Sequence, residues 1–185
     1  MKLICGLGNP GRAYAKHRHN IGFKIIDELA RRHDIDVAKK AFKAKIGFGS
    51  IADVDVLLAK PQTFMNLSGA AVSPLVGFYK CSFKDLIVVH DDIDLDVGRL
   101  KLAARSGHGG HNGVKSIIDE LGSSDFYRVR IGVGRPPVNI DPADYVLHPF
   151  HKEEREMVEK IIGQAADAVE ELIKVGLQAA QQKYH

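Results

Sequence analysis

The sequence lacks several features that mark specialised classes of protein. It contains no tryptophan and only two cysteines, Cys5 and Cys81, which lie far apart and belong to no CxxC or CxxH spacing. This excludes a disulfide scaffold. No run approaches the ~18 apolar residues of a membrane-spanning helix, and the first apolar stretch stops at Gly8, too early for a secretory signal. We therefore expect a protein of the reducing cytoplasm.

Neither sign of charge dominates the chain. The 26 Lys and Arg side chains exceed the 23 Asp and Glu side chains by three. The resulting pI near 8.8 permits a polyanionic partner without requiring one. Hydrophobic residues make up 45% and charged residues 26%, which excludes a disordered or fibrous polypeptide. A length of 185 residues predicts one domain, covering residues 1–185.

Apolar patterns alternate between strand and helix spacing, which is typical of an α/β fold. The predicted strands cover residues 2–7, 44–51, 54–59, 85–90, 98–103 and 127–133. The predicted helices cover residues 20–33, 66–80 with a kink at Pro74, 113–121 and 152–182. In the last strand, alternation predicts that Arg128 and Arg130 face outwards. We expect a twisted mixed β-sheet flanked by helices, with a long C-terminal helix.

The hexapeptide GLGNPG at residues 6–11 fits the G-x-G-x-x-G pattern of dinucleotide-binding turns. In that motif the third glycine lies inside a helix, whereas here Pro10 and Gly11 favour a turn and the polar stretch 12–19 delays the helix. The sequence therefore favours a tight turn. The turn presents Asn9, and after it Tyr14, His17 and His19, at the carboxyl edge of a strand, where α/β proteins bind ligands.

Two positions suggest acid–base chemistry. His19 precedes an amphipathic helix, where its imidazole could act as a base or could simply cap the helix or face solvent. Asp91 ends the most strand-like segment, so its carboxylate could accept a hydrogen bond from the Nδ1–H group of an incoming histidine. A His–Asp pair is one interpretation of these residues.

Metal binding is the competing interpretation. Acidic residues alternate over 92–96 like the opening of an EF-hand loop, but Val97 replaces the glycine that such a loop requires. His108 and His111 could bind zinc with His90, but the two glycines between them favour a mobile loop over a closed ligand set. We expect no metal.

Residues 107–113, GHGGHNG, form a glycine-rich loop at the predicted start of a helix. Its N–H groups and Asn112 could bind a phosphate, a ribose or a carbonyl oxygen, or Asn112 could serve only as an N-cap. Asn66 presents the same two alternatives. Basic residues near this loop predict a phosphate-binding rim, although each alone is an ordinary charged surface residue. They are Lys101, Arg105, Lys115, Arg128 and Arg130.

Seven sequence blocks, taken in order, resemble those of bacterial peptidyl-tRNA hydrolases. They are GLGNPG, Tyr14, His19-Asn20, FMNLSG, HDD, GGHNG and RIGVG, and they span nearly the whole chain. The resemblance implies a monomeric enzyme, without a metal or other cofactor, that hydrolyses the ester bond between a peptide and the 3′-terminal ribose of tRNA. Its substrate would be peptidyl-tRNA released prematurely by ribosomes.

The same resemblance implies roles for individual residues. His19 would activate a water molecule, Asp91 would keep His19 basic and oriented, and Asn9 would sense the blocked amino group of the substrate. The implied contacts to the tRNA and the peptide end are Tyr14, Phe64, Asn66 and Asn112. No Gly-x-Ser-x-Gly motif is present, so the nucleophile would be water.

Basic residues would bind the tRNA phosphates. Arg130 matches a family position near the tRNA 5′ phosphate, and Lys101 matches another basic position. Ala103 and Ala104 replace a glycine-rich or basic stretch of some relatives, so Arg105 is the candidate substitute for the second phosphate contact. Two other interpretations remain at this point, a non-catalytic RNA-binding module and a nucleotide-dependent oxidoreductase.

Overall fold

Seven strands form one sheet in the computed structural model, which describes residues 1–185. The strands are β1 (Lys2–Gly6), β2 (Lys39–Ala41), β3 (Ala44–Ile51), β4 (Val54–Pro61), β5 (Leu86–Asp92), β6 (Leu100–Ala104) and β7 (Tyr127–Gly132). Their order in the sheet is β2-β3-β4-β1-β5-β7-β6. The helices are α1 (Ile21–His33), α2 (Gly69–Phe78), α3 (Asn112–Leu121), α4 (Pro142–Tyr145), α5 (Arg155–Val175) and α6 (Leu177–Tyr184). No helix is long and apolar enough to cross a bilayer.

The sheet is mixed, as the sequence predicts. Strands β4, β1, β5 and β7 are parallel, whereas the pairs β2–β3, β3–β4 and β6–β7 are antiparallel. Alternating side chains build a core on each face: Ile4 of β1 packs on the side of α1 and α5, and Leu3 and Cys5 pack on the side of α2 and α3. Helices therefore cover both faces of the parallel strands.

The chain changes direction across the sheet at β1. From β1 it passes through α1 to β4 on one side, and from β4 it passes through α2 to β5 on the other side of β1. Helices α1 and α2 lie on opposite faces, so a crevice opens outside the carboxyl ends of β1 and β5. Asn9 follows β1 and Asp91 lies near the end of β5, so the topology brings both to this crevice.

The C-terminal helix differs from the continuous helix predicted over residues 152–182. Gly176 has φ +85° and ψ 175°, which is not helical, so α5 ends at Val175 and α6 starts at Leu177. The Gln181 amide of α6 donates to the Leu102 carbonyl (3.0 Å), and the Leu102 N–H donates to Nε2 of His185 (2.8 Å). The break therefore lets the C-terminus cover the edge strand β6.

Helix α2 is shorter than predicted. A 3₁₀ turn, Met65–Leu67, precedes it, and it covers Gly69–Phe78 in place of residues 66–80. Pro74 lies inside α2 and does not end it. The 3-residue strand β2 and the 4-residue helix α4 are absent from the sequence prediction, because such short elements carry no measurable periodicity.

Two glycines let α1 pack directly on β1. A Cβ on Gly22 would lie 2.5 Å from the backbone nitrogen of Leu7 and from the carbonyl oxygen of Val89. A Cβ on Gly6 would lie 2.2 Å from the carbonyl oxygen of Gly22. These neighbours are backbone atoms, so any larger residue must push the helix away from the sheet.

We expect Gly22→Ala to lower the free energy of unfolding by about 1–3 kcal/mol, because the added methyl overpacks the contact between α1 and β1. Gly77→Ala is the matched control, since a Cβ there meets no atom within 4 Å. That variant should be neutral or stabilise the helix by roughly 0.5–1 kcal/mol. Urea unfolding of both variants measures the difference, and equal values would contradict this packing argument.

Candidate active site

A cavity of about 570 Å³ opens at the carboxyl edge of β1, β5 and β7. Its walls come from the loop after β1, the Met65–Leu67 turn, the end of β5, the glycine-rich loop and β7. The residues expected at the site that line this cavity are Asn9, His19, Phe64, Asn66, Asp91, Asn112 and Arg130. The topology therefore brings most of the candidate residues together.

A buried carboxylate lies at the centre of the site. Asp91 is 2% exposed, and its two oxygens accept hydrogen bonds from two imidazoles. Nδ1–H of His19 donates to Oδ2 (2.8 Å), and Nε2–H of His111 donates to Oδ1 (2.8 Å). The structure thus places His19 against Asp91 and adds His111, which the sequence offers only as a loop residue or a zinc ligand.

The other contacts of His111 determine which nitrogen carries its proton. Nδ1 of His111 accepts hydrogen bonds from the backbone N–H groups of Gly113 (3.1 Å) and Val114 (3.2 Å), so His111, and not Asn112, caps α3. A nitrogen that accepts carries no proton, so the proton of neutral His111 lies on Nε2 and faces Asp91. The amide of Asn112 is therefore free to face the cavity.

Burial and charge act in opposite directions on the His19–Asp91 pair. Burial alone would lower the pKa of His19, but the Asp91 carboxylate outweighs it and raises that pKa above the ordinary value. Burial alone would raise the pKa of Asp91, but His19 and His111 hold it well below the usual range. Asp91 is therefore ionised at neutral pH, and when His19 is neutral its Nε2 is an unprotonated nitrogen without a protein partner.

His90 packs beneath His111, with ring centroids 4.8 Å apart. Its Nδ1–H donates to the backbone carbonyl of Asp91 (2.7 Å), and its buried Nε2 has no hydrogen-bond partner. Burial lowers the pKa of His90 well below its ordinary value, and the neighbouring His111 and Arg128 groups lower it further. His90 is therefore neutral, and its Nε2 is a hydrogen-bond acceptor.

Ligand atoms of His19, Asp91 and His111 lie within 4.8 Å of one another, which is close enough for a metal site. Each imidazole nitrogen that faces Asp91 is already hydrogen-bonded to it. A cation between these groups would replace both hydrogen bonds, so the donor set fits proton transfer better than metal ligation.

Asn9 and Asn20 fix the turn between β1 and α1. The Asn9 N–H donates to Oδ1 of Asn20 (2.9 Å), and Nδ2 of Asn20 donates back to the Asn9 carbonyl (2.8 Å). Oδ1 of Asn9 accepts from the Met65 N–H (2.7 Å). These contacts leave the Nδ2 group of Asn9 as the free donor at the cavity. They also show that Asn20 positions Asn9, which the place of Asn20 in the sequence does not indicate.

A segment after α4 holds the turn that carries His19. The N–H groups of Arg18 and His19 donate to the carbonyls of His148 (3.0 Å) and Val146 (2.9 Å). The Arg18 side chain is buried, its guanidinium carbon lies 3.8 Å from the ring centroid of Tyr145, and its Nη1 donates to the Tyr145 carbonyl (3.1 Å). His19 is thus fixed by its own backbone as well as by Asp91.

The aromatic candidates lie at the rim. Phe64 is exposed beside the cavity, and the ring of Tyr14 meets it edge to face, with centroids 6.2 Å apart. Tyr14 does not line the cavity itself. Asn66 and Asn112 are exposed on its wall.

The basic candidates lie in three different environments. Arg130 lines the cavity, where its Nε donates to Asp92 (2.7 Å), and Lys101 is exposed opposite Arg130 in the β6–β7 register. Arg105 lies outside the cavity and pairs with Asp125 (2.8 Å). The prediction that Arg128 faces outwards is wrong: Arg128 is buried, because its guanidinium holds the glycine-rich loop through the Gly107 carbonyl (2.8 Å).

Comparison with known proteins assigns the family. A family model described as peptidyl-tRNA hydrolase matches residues 3–185. The chain belongs to the peptidyl-tRNA hydrolase family. A peptidyl-tRNA hydrolase of Clostridium perfringens is 47% identical over 185 residues, which is 100% of this chain and 97% of that protein. One of Mycobacterium avium is 50% identical over 184 residues, which is 99% of this chain and 96% of that protein.

The fold of the peptidyl-tRNA hydrolase family covers the whole chain. A crystal structure of peptidyl-tRNA hydrolase from Acinetobacter baumannii matches with a TM-score of 0.94 and 34% identity, covering 100% of this chain and 94% of that one. The family and the fold expected from the sequence blocks are therefore confirmed.

We expect Asp91→Asn to lower the pKa of His19 below its ordinary value, because the substitution removes the charge that raises this pKa and leaves the burial that lowers it. Titration of the His19 ring signals by NMR measures the shift. Asp92→Asn is the matched control: this carboxylate is one residue away but faces Arg130, so the pKa of His19 should stay near its wild-type value. Equal values of this pKa in the two variants would contradict the assigned network.

Proposed function

We propose that this chain hydrolyses the ester bond between a peptide and the 3′-terminal ribose of tRNA, with His19 as the general base. The observation that carries this proposal is the state of His19 in the cavity. Its Nδ1–H is held by a buried carboxylate, while its Nε2 has no protein partner and is free to accept a proton from water. A buried orienting carboxylate also stabilises the imidazolium that forms in the transition state.

The proposed reaction proceeds in two proton transfers. A water oxygen attacks the acyl carbon of the ester as Nε2 of His19 takes a proton from that water. The bond to the ribose oxygen then breaks, and the imidazolium returns the proton to that oxygen. The side-chain amide of Asn112 on the cavity wall is a candidate donor to the oxyanion that develops on the acyl group. No step requires a metal ion.

Selectivity for a blocked amino group fits the free donor of Asn9. Oδ1 of Asn9 already accepts from the Met65 N–H, so the free part of this amide is the Nδ2 donor. A donor at this position requires an acceptor on the substrate, such as a carbonyl oxygen. A peptide or acetyl group supplies that acceptor, whereas a free ammonium group supplies only donors. We assign Asn9 to this discrimination, and Tyr14, Phe64 and Asn66 to the terminal nucleotide and the first peptide residue.

His19→Ala should lower the hydrolysis of an N-acetylated aminoacyl-tRNA by at least about 100-fold, because general-base assistance typically contributes 10²–10⁴. His33→Ala is the control, since His33 pairs with Glu170 away from the cavity. In the wild type the rate should fall as the pH drops through the raised pKa of His19, because the protonated ring accepts no proton. Near-normal hydrolysis by the His19 variant would exclude His19 as the base, whereas tRNA binding without hydrolysis by the wild type would support a binding module in place of an enzyme.

Arg130→Ala and Lys101→Ala should weaken tRNA binding and reduce its salt dependence, by roughly 0.7–0.9 in the slope of log K against log salt for each phosphate that the variant no longer binds. Hydrolysis of an N-acetylated aminoacyl ester without the tRNA body should stay unchanged. Lys174→Ala, an exposed lysine of α5, is the control. Equal reductions on both substrates would show that these residues support the fold and not tRNA binding.

A further inference from the structure

Four aromatic rings form a cluster at the β2–β3 edge of the sheet, on the face that α2 covers. This aromatic patch consists of Phe42, Phe48, Phe78 and Tyr79. Ring centroids are 4.9 Å apart for Phe42 and Phe78, 6.1 Å for Phe42 and Tyr79, and 5.5 Å for Phe48 and Tyr79. Phe48 is 49% and Phe78 is 65% exposed. Adjoining exposed rings of this kind mark an interaction surface.

The chain segments that carry the patch are basic and contain no acidic residue. Residues 37–51 and 62–84 include no Asp or Glu. Their lysines are Lys39, Lys40, Lys43, Lys45, Lys80 and Lys84. None of these forms an ion pair; the lysines that do are elsewhere, at Lys2, Lys60, Lys115 and Lys183. In a chain with a net charge of +3, this is a concentration of uncompensated positive charge.

Three of these lysines lie next to aromatic residues of the patch. Lys39 lies on the same face as the patch, with its Nζ 5.9 Å from the ring centroid of Phe48. Lys43 adjoins Phe42 in the β2–β3 turn, and Lys80 adjoins Tyr79 after α2. Aromatic platforms flanked by cations are the arrangement that binds single-stranded nucleic acid, because bases stack on the rings while phosphates meet the lysines.

We propose that the aromatic patch and its lysines bind single-stranded RNA. Bases stack on Phe48 and Phe78, and phosphates contact Lys39, Lys43 and Lys80. A second copy of this chain fits the surface poorly, because pairing two such faces brings together like charges that no carboxylate compensates. An acidic peptide would satisfy the lysines but offers few π surfaces for the rings.

The aromatic patch is separate from the cavity, because no residue of the patch lines the cavity. The β2–β3 turn of the patch lies beside the carboxyl end of β4. There the carbonyl of Lys43 accepts from the N–H of Gln62 (2.7 Å), two residues before Phe64. An RNA strand on the patch therefore contacts residues outside the proposed ester site. The inference does not rest on ester hydrolysis.

The direct test is fluorescence anisotropy with a labelled oligouridylate of roughly 12 nucleotides, within the usual range of site sizes. The double variant Phe48→Ser, Phe78→Ser should bind at least about 10-fold more weakly than the wild type, as expected when base stacking is removed. Val138→Ser with Val175→Ser is the matched control, because both valines are exposed and lie outside the patch. The control should bind like the wild type.

A second pair of variants tests the charges. Lys39→Gln with Lys80→Gln should reduce the slope of log K against log salt by roughly 0.7 for each phosphate that is no longer neutralised. Lys160→Gln with Lys174→Gln, on exposed positions of α5, should leave the slope unchanged. Hydrolysis of the minimal ester should be unaffected in all four double variants, so failure of this proposal is distinguishable from failure of the proposed activity.

Three results would overturn the inference. The first is that the wild type does not bind the probe, and the second is that the double variant Phe48→Ser, Phe78→Ser binds it as tightly as the wild type. The third is that the wild type forms a dimer in sedimentation equilibrium and this variant does not. The last result would assign the surface to a second copy of the chain. Thermal unfolding of each variant verifies that it is folded at the assay temperature.

Discussion

A buried charge sets the architecture of the candidate site. A carboxylate removed from water is destabilised by several kcal/mol unless hydrogen bonds replace its hydration. Asp91 keeps its charge because each oxygen receives an imidazole N–H, one from His19 and one from His111. Both imidazoles are thereby constrained: a proton is required on the nitrogen that faces Asp91, and the opposite nitrogen of the neutral ring must be an acceptor. The basic Nε2 of His19 is a consequence of this requirement.

The fold holds both imidazoles by contacts other than those with Asp91. His111 is fixed because its second nitrogen caps α3, so its orientation is tied to the start of a helix that packs against α2. His19 is fixed from two directions, by the Asn9–Asn20 contacts and by the carbonyls of Val146 and His148. Immediately after it, Gly22 lets α1 approach the sheet. Folding therefore orders the side chain of His19, the proposed base, so its conformational entropy is lost before any substrate binds.

The elements with long apolar patterns and the residues that follow parallel strands could be predicted from the sequence. Strand β5 and helix α1 have clear patterns, and the carboxyl edge of a parallel sheet is a general location for ligand sites. The partners of Arg18 and Arg128 could not be predicted, because each buried guanidinium donates to a carbonyl distant in the chain, which no local pattern encodes. The position of His111 against Asp91 also depends on how the loop folds back over β5. The helix break at Gly176 has no signal in the apolar stripe, because the stripe continues on both sides of it.

The ion pair between Arg130 and Asp92 shows how an arginine of this cavity can bind one of its carboxylates and keep free hydrogen-bond donors. A guanidinium has five N–H donors, and only Nε of Arg130 is bound to Asp92. Its terminal nitrogens remain available to a phosphate, while the contact with Asp92 holds the planar group in one orientation. A lysine in the same place would present a single point charge, and pairing with Asp92 would satisfy much of it. An arginine beside a carboxylate is therefore preorganised to bind an anion. The side chain of Asp92 orients the guanidinium of Arg130 and leaves its terminal N–H groups free for that anion.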